Sequence, residues 1–245
     1  MSNNLLTEDL AAPLNGATTA SIEIDTGTGN LTVDDRSEGT QVLASGALQY
    51  FERQGRPTES FSAEGGKATV KLTATAAGRP WFRLPWDACL GGTEWQIHLN
   101  PSVSSDITAH TGGGNVKLNL ADMTLTSLSA DTGGGNMEMI LPEHAADLRV
   151  KARTGGGNIS IEIGDALTGS NTVEANSGAG NVVIEVPDGI PARVSASTGM
   201  GKVIVEPRFS NIGAHMYQSA DYQEAADKLE ITVHSGAGNV SVTTK

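Results

Sequence analysis

The sequence predicts an all-β protein built as a solenoid, and three observations carry that prediction. A Ser/Thr-Gly-x-Gly-Asn/Lys motif recurs at Thr26–Asn30, Thr111–Asn115, Thr132–Asn136, Thr154–Asn158, Ser177–Asn181, Thr198–Lys202 and Ser235–Asn239. Apolar and polar residues alternate on both sides of every copy. The 245-residue chain carries 30 glycines, while aromatic residues make up only 4%. That balance suits a thin core between closely spaced strands and not one filled by rings.

From Thr111 onward the motifs start 21, 22, 23, 21 and then 37 residues apart. Repeats of this length mark solenoids, propellers or arrays. Four residues before each motif stand Ile22, Ile107, Leu128, Val150, Val173, Val194 and Ile231. Two before it stand Ile24, Ala109, Ala130, Ala152, Ala175, Ala196 and Val233. Just after it come Leu31, Val116, Met137, Ile159, Val182, Val203 and Val240, with a second apolar residue two positions on. This period-two pattern belongs to half-buried strands, and glycine recurs too often for a helix.

The motif supplies the corner between the strands, through Thr111, Gly112, Gly114 and Asn115, then Thr132, Gly133, Gly135 and Asn136, then Thr154, Gly155, Gly157 and Asn158. Glycine reaches positive φ without steric cost and Asn tolerates it. The expectation is therefore positive φ at glycines directly after the Ser/Thr, and damage from valine at Gly134 or Gly135. Repeats stacked ~4.8 Å apart would align the Thr and Asn columns as hydrogen-bonded ladders. The alanine column would mark the closest approach of two sheets. A glycine loop can also close an antiparallel hairpin, so that two repeats would form one propeller blade. Recurrence of the same column chemistry every ~22 rather than every ~44 residues favours the solenoid.

Outside the repeats, residues 36–110 read as degenerate coils or an edge sheet. Their strand-like runs are Thr40–Ala44, Leu48–Arg53, Ala68–Thr75 and Trp95–Leu99, with a hairpin turn at Glu64–Lys67. The long final spacing holds an insertion at 206–230. Asp221 followed by Glu224 resembles a capping box, with Lys228 in the last turn, and predicts a short helix over Tyr222–Lys228. The first twenty residues read as a similar cap with Leu5, Leu6 and Leu10 on its apolar side. The predicted organisation is thus an N-terminal segment over 1–20 and a single solenoid domain over 21–245. The last motif strand is expected to end the stack: either the insertion folds over it through Tyr217, Tyr222 and Leu229, leaving association to the aromatic segment, or coils of two molecules stack end to end there, beside Ser241 and Thr243.

The TGGGN-type turns, the strand-ending Pro101, Pro142 and Pro187, and the closing Tyr217-x-Ser219-x-x-Tyr222-x-x-Ala225…Leu229-x-Ile231-x-Val233 ahead of Gly236-x-Gly238-Asn239 resemble the bacterial putative-adhesin, or toastrack, family of β-strand-repeat domains. The resemblance runs from about residue 20 to the end. It implies a right-handed, single-stranded β-helix-like fold and little about activity, since members serve as sensory or envelope modules.

Composition removes several function classes. A formal net charge of −12 argues against nucleic acid and against anionic lipid, both of which are held by Lys and Arg. Cys89 is the one cysteine, which leaves no intrachain disulfide and no thiolate cluster. No signal-peptide pattern and no apolar run of spanning length is visible, so the expected location is the cytoplasm. The histidines His98, His110, His144, His215 and His234 show no metal spacing, and no metal or cofactor is expected. Calcium-binding nonapeptide repeats need a turn aspartate where this motif has Asn or Lys. Phosphate loops run from a strand into a helix, whereas these run from strand to strand. His110 and His234 share a column with Asp25, Asp131, Arg153, Asn176 and Ser197, which reads as a surface charge ladder.

The local anomaly is the aromatic segment Trp81, Phe82, Arg83 and Trp86 between prolines. It reads either as a hydrophobic plug or as a contact patch, since interface hot spots favour Trp and Arg. Trp95 alternates with Ile97 and Leu99 and reads as core. With no assembled catalytic set, the expected function is a non-catalytic structural or interaction scaffold that associates with itself or another protein. A ligand-binding or sensor module, for a small molecule or glycan, is the alternative. A carbohydrate-active β-helix enzyme rests on fold analogy alone.

Overall fold

A computed structural model describes residues 4–36, 41–75 and 92–245. In chain order its strands are β1 (Leu5–Pro13), β2 (Thr19–Asp25), β3 (Asn30–Asp34), β4 (Val42–Phe51), β5 (Thr58–Glu64), β6 (Lys67–Thr73) and β7 (Glu94–Leu99). The repeats follow as β8 (Ser104–Thr111), β9 (Val116–Asn119), β10 (Leu125–Thr132), β11 (Met137–Ile140), β12 (His144–Ala146), β13 (Arg149–Thr154), β14 (Ile159–Glu162), β15 (Ala166–Thr168), β16 (Ser170–Ala179) and β17 (Val182–Val186). The chain closes with β18 (Ala192–Met200), β19 (Val203–Val205), β20 (Ser210–Gly213), β21 (Met216–Gln218), β22 (Lys228–Ala237) and β23 (Val240–Thr244).

Each glycine motif hands the chain from one long sheet to another. Strands before the motif lie in an 11-stranded sheet ordered β20-β21-β18-β22-β16-β13-β10-β8-β2-β6-β5. Strands after it lie in a 10-stranded sheet ordered β1-β4-β7-β3-β9-β11-β14-β17-β23-β19. Repeat-to-repeat pairing is parallel and in register by motif position: Ala109, Ala130, Ala152 and Ala175 follow one another across the first sheet. The alternation works as read, because the alanine and apolar columns of both sheets fall into one buried cluster, with Val203 and Val205 half-buried against it. Trp95 is buried, and its indole Nε1 donates to Gln49 O at 3.0 Å.

The corners form two ladders. Each Asn Oδ1 accepts the backbone N–H of the next Asn, from Asn30 to Asn115, Asn136, Asn158, Asn181 and Asn239, at 2.8 to 2.9 Å. Lys202 N–H takes the final position, on Asn239 at 3.0 Å. The hydroxyls run in parallel: Thr111, Thr132, Thr154, Ser177, Ser235 and Thr198 donate to glycine carbonyls of the preceding coil at 2.7 to 3.1 Å.

Of the glycines directly after the Ser/Thr only Gly27, in the first motif, adopts positive φ, at 68; Gly112, Gly133, Gly155, Gly178, Gly199 and Gly236 do not, contrary to expectation. They are required by proximity instead. A Cβ on Gly112, Gly133, Gly155, Gly178, Gly199 or Gly236 would stand 2.3 to 2.7 Å from the neighbouring coil's carbonyl oxygen. The second motif glycine is tighter, at 2.1 Å for Gly135 against Gly114 O. The middle position is open: Gly134 has its nearest atom at 3.9 Å, so the sensitivity expected there falls away.

Two further expectations change. Tyr222–Lys228 is not a helix, and the one helical segment among the described residues is the 3-10 turn Glu52–Gln54. Only a single turn forms, with Ala225 N–H on Asp221 O at 3.1 Å. Asp227 Oδ1 then accepts Gly169 N–H, and Lys228 N–H donates to Gly169 O, which starts β22. Continuing the helix would forfeit those ladder bonds. The N-terminal segment is likewise a strand, with β1 antiparallel to β4, Leu10 buried, and Leu5 and Leu6 exposed.

The stacking order also departs from the sequence order. The final motif does not end the stack, because β22 inserts between β16 and β18, and β23 between β17 and β19. Ser241 and Thr243 therefore lie inside a sheet, and the last coil is the one carrying Lys202.

Candidate functional site

The two ends of the stack are finished differently. At the N-terminal end both sheets close with antiparallel strands, β4 and β1 on one and β5 on the other. Gly65 and Gly66, at φ 59 and 79, make the tight turn joining β5 to β6. β1 carries Glu8, Asp9 and Pro13, features that blunt an exposed edge. At the other end β21 pairs antiparallel with β18 and β20 with β21, which covers the first sheet. Among the described residues the second sheet stops at β19 with no strand beyond it.

Arg208 ties the segment after β19 to the neighbouring repeats. Its guanidinium donates to Pro187 O at 3.0 Å, Ile190 O at 3.2 Å and Thr244 Oγ1 at 3.1 Å, and lies 4.1 Å over the Phe209 ring. Burial lowers its pKa from the ordinary arginine value. These bonds draw the insertion back over the preceding coils, towards β20, and away from β19. Tyr222 anchors the other end of the insertion, beneath Arg193 and Lys228, with its hydroxyl on Glu230 at 2.8 Å.

The open end is also apolar. Among the described residues seven large apolar side chains are exposed, and four of them lie here: Met200 (72%), Ile204 (55%), Ile212 (51%) and Met216 (37%). Sequence reasoning missed this site. Its signal was present in Lys202, the single departure from Asn in the corner column, at the coil whose side chain has no further coil to serve.

The other candidates are distributed elsewhere. Trp81, Phe82, Arg83, Trp86 and Cys89 lie outside the described residues. The His110 column reads Asp25, His110, Asp131, Arg153, Asn176, His234 and Ser197 across the first sheet. Arg153 bonds Glu174 at 3.0 Å, and that bond, more than any other factor, lowers the Glu174 pKa. On the second sheet Ser45, His98 and Asp34 are register neighbours, and His98 Nδ1 meets Asp34 Oδ1 at 2.6 Å. The Ser45 hydroxyl is buried without a partner, so the nucleophile-to-base bond of a hydrolytic triad is not formed. No group of three or more His, Cys, Asp or Glu that could hold a metal ion occurs among the described residues. No helix among them is long and apolar enough to cross a membrane.

The family described as the N-terminal domain of toast_rack, DUF2154, matches residues 2–162, more than half of the chain. The chain belongs to the toast_rack family. Residues 143–242 of this toast_rack protein are also similar to the C-terminal domain described as cell wall-active antibiotics response LiaF. No curated protein matches it. A solved structure named as a "putative cell adhesion protein" from Clostridium sporogenes superposes with a TM-score of 0.69 at 18% identity, covering 99% of this chain and 100% of that one. That likeness shows the fold. A "putative adhesin" from Bacteroides fragilis aligns over 100% of this chain and 98% of its own, at 12% identity and a TM-score of 0.34.

Proposed function

We propose that this toast_rack protein is a non-catalytic scaffold that presents the bare β19 edge to another protein strand. We read the stack as a right-handed, single-stranded solenoid with ~22-residue coils over 21–245, closed by 1–20 at one end. The observation that carries the reading is the unequal treatment of its ends. An unpaired strand edge invites pairing, and of the four end strands of the two long sheets described, β1, β5 and β20 are antiparallel additions whereas β19 continues the parallel stack. The fourth combines free backbone groups with exposed Met200 and Ile204. Strand addition draws affinity from main-chain hydrogen bonds and specificity from alternate side chains. The adhesion names of the structural relatives are in keeping with a binding role.

Selection of displayed peptides on the purified protein tests this. Extended sequences with alternating apolar residues should be enriched, and Val205→Pro should abolish their binding. Peptides that bind Val205→Pro equally well would refute the edge. Thermal stabilisation by a glycan or metabolite, in a protein that selects no peptide, would favour the sensor module instead.

A further inference from the structure

The backbone of β19 has a parity that restricts what can pair with it. Lys202 O accepts Val240 N–H at 2.9 Å, and Glu206 N–H donates to Val242 O at 2.9 Å. Even-numbered residues therefore direct their backbone groups inward to β23. Since the direction alternates along a strand, Val203 and Val205 point theirs at the open side. Their side chains face the core and are half-buried, while Ile204 faces out and is exposed.

We infer that the occupant of this edge is a second copy of the same strand, antiparallel and centred on Ile204. This rests on the scaffold reading and names its partner. In that register Val203 faces Val205 of the other copy, twice over, and each pair exchanges two hydrogen bonds, so all four free backbone groups of each strand are used. Ile204 meets its own copy in a closely spaced, non-hydrogen-bonded pair. Lys202 faces Glu206 and Glu206 faces Lys202, which places opposite charges together at both ends of the pairing. Other centres lose these matches. Centring on Val203 sets Ile204 against Lys202. Centring on Val205 sets Ile204 against Glu206 and brings Val203 opposite Pro207, which has no N–H to give. The twofold axis closes the assembly as a dimer, and the two 10-stranded sheets become one continuous sheet.

The register is tested by charge reversal, read by light scattering across a concentration series. Lys202→Glu and Glu206→Lys should each weaken the dimer about tenfold or more by setting like charges opposite each other. Combining them in one chain should restore wild-type association. Val205→Pro should give a monomer that still unfolds in one cooperative urea transition, because the N–H it removes points away from β23. In a Cys89→Ser background, Ile204→Cys should cross-link spontaneously into dimers, since a non-hydrogen-bonded pair has a Cα separation of about 4.5 Å, within disulfide reach. A double charge variant as weak as its parents would overturn the register. Open-ended polymers that cannot be cross-linked through Ile204→Cys would replace the twofold dimer by head-to-tail stacking of β19 on β1. A wild-type monomer at all concentrations would sink self-pairing. The scaffold reading would still stand if selected peptides bind the edge, and would fall only if they also fail.

Discussion

Alanine scanning of one corner separates close approach from backbone conformation as the reason for its glycines. In Gly135→Ala the new Cβ would stand 2.1 Å from Gly114 O, 2.5 Å from Gly114 C and 3.1 Å from Asn115 N, all backbone atoms. Ordinary contact begins near 3.4 Å, so the two turns must part by on the order of 1 Å. The same movement stretches Asn136 N–H on Asn115 Oδ1 and Thr132 Oγ1 on Gly114 O, both 2.9 Å. Two bonds at about 1 kcal/mol each, plus about 1–2 kcal/mol of strain, give a loss of roughly 3–4 kcal/mol. For a chain of this size that lowers the melting temperature by about 6–16 °C. Gly134→Ala, with its nearest atom at 3.9 Å, should stay within about 0.5 kcal/mol of wild type. Urea unfolding followed by circular dichroism provides the comparison. Equal losses at both positions, or a larger loss at Gly134, would refute proximity as the cause.

Three further outcomes are expected. Asn136→Ala removes the acceptor of Asn158 N–H and should cost about 1–2 kcal/mol, whereas Lys202→Asn at the end of the ladder should shift the urea midpoint little. Ala152→Leu should overpack the fully buried alanine column by about 1–3 kcal/mol, with Ser129→Ala on the outward face costing under about 0.5 kcal/mol in the same assay. Glu174 has a lowered folded-state pKa, so its contribution is present above about pH 4.3 and is lost as pH falls through the folded value. Melting curves of wild type and Glu174→Gln should therefore differ near neutrality and converge in acid.

The repeat itself was legible because its chemistry is periodic. The Asn column, the hydroxyl column and the four apolar columns each recur at fixed motif positions, and every one of them stacks in the structure. Stacking order was not legible: a period shows which residues are equivalent, not which coils are neighbours, so β22 and β23 could be placed inside the stack only by their pairing. The Asn-to-Lys change at Lys202 was visible, and it marks a coil on which no further described coil stacks, where the Asn acceptor has no use. The helix over Tyr222–Lys228 failed for a tertiary reason, since local capping signals compete there with ladder bonds to Gly169 on a distant coil. Glycine conformation was misjudged because the motif admits two explanations, positive φ and close backbone approach, and only the position of the neighbouring repeat separates them.

Amide hydrogen exchange along β19 tests the central claim most directly. The Ile204 and Glu206 amides face β23 and should be protected at every protein concentration. The Val203 and Val205 amides should exchange rapidly in dilute solution and slow together as concentration rises and the edges pair. Val203 and Val205 amides already protected in a dilute monomer, or indifferent to concentration, would contradict a bare, self-complementary edge.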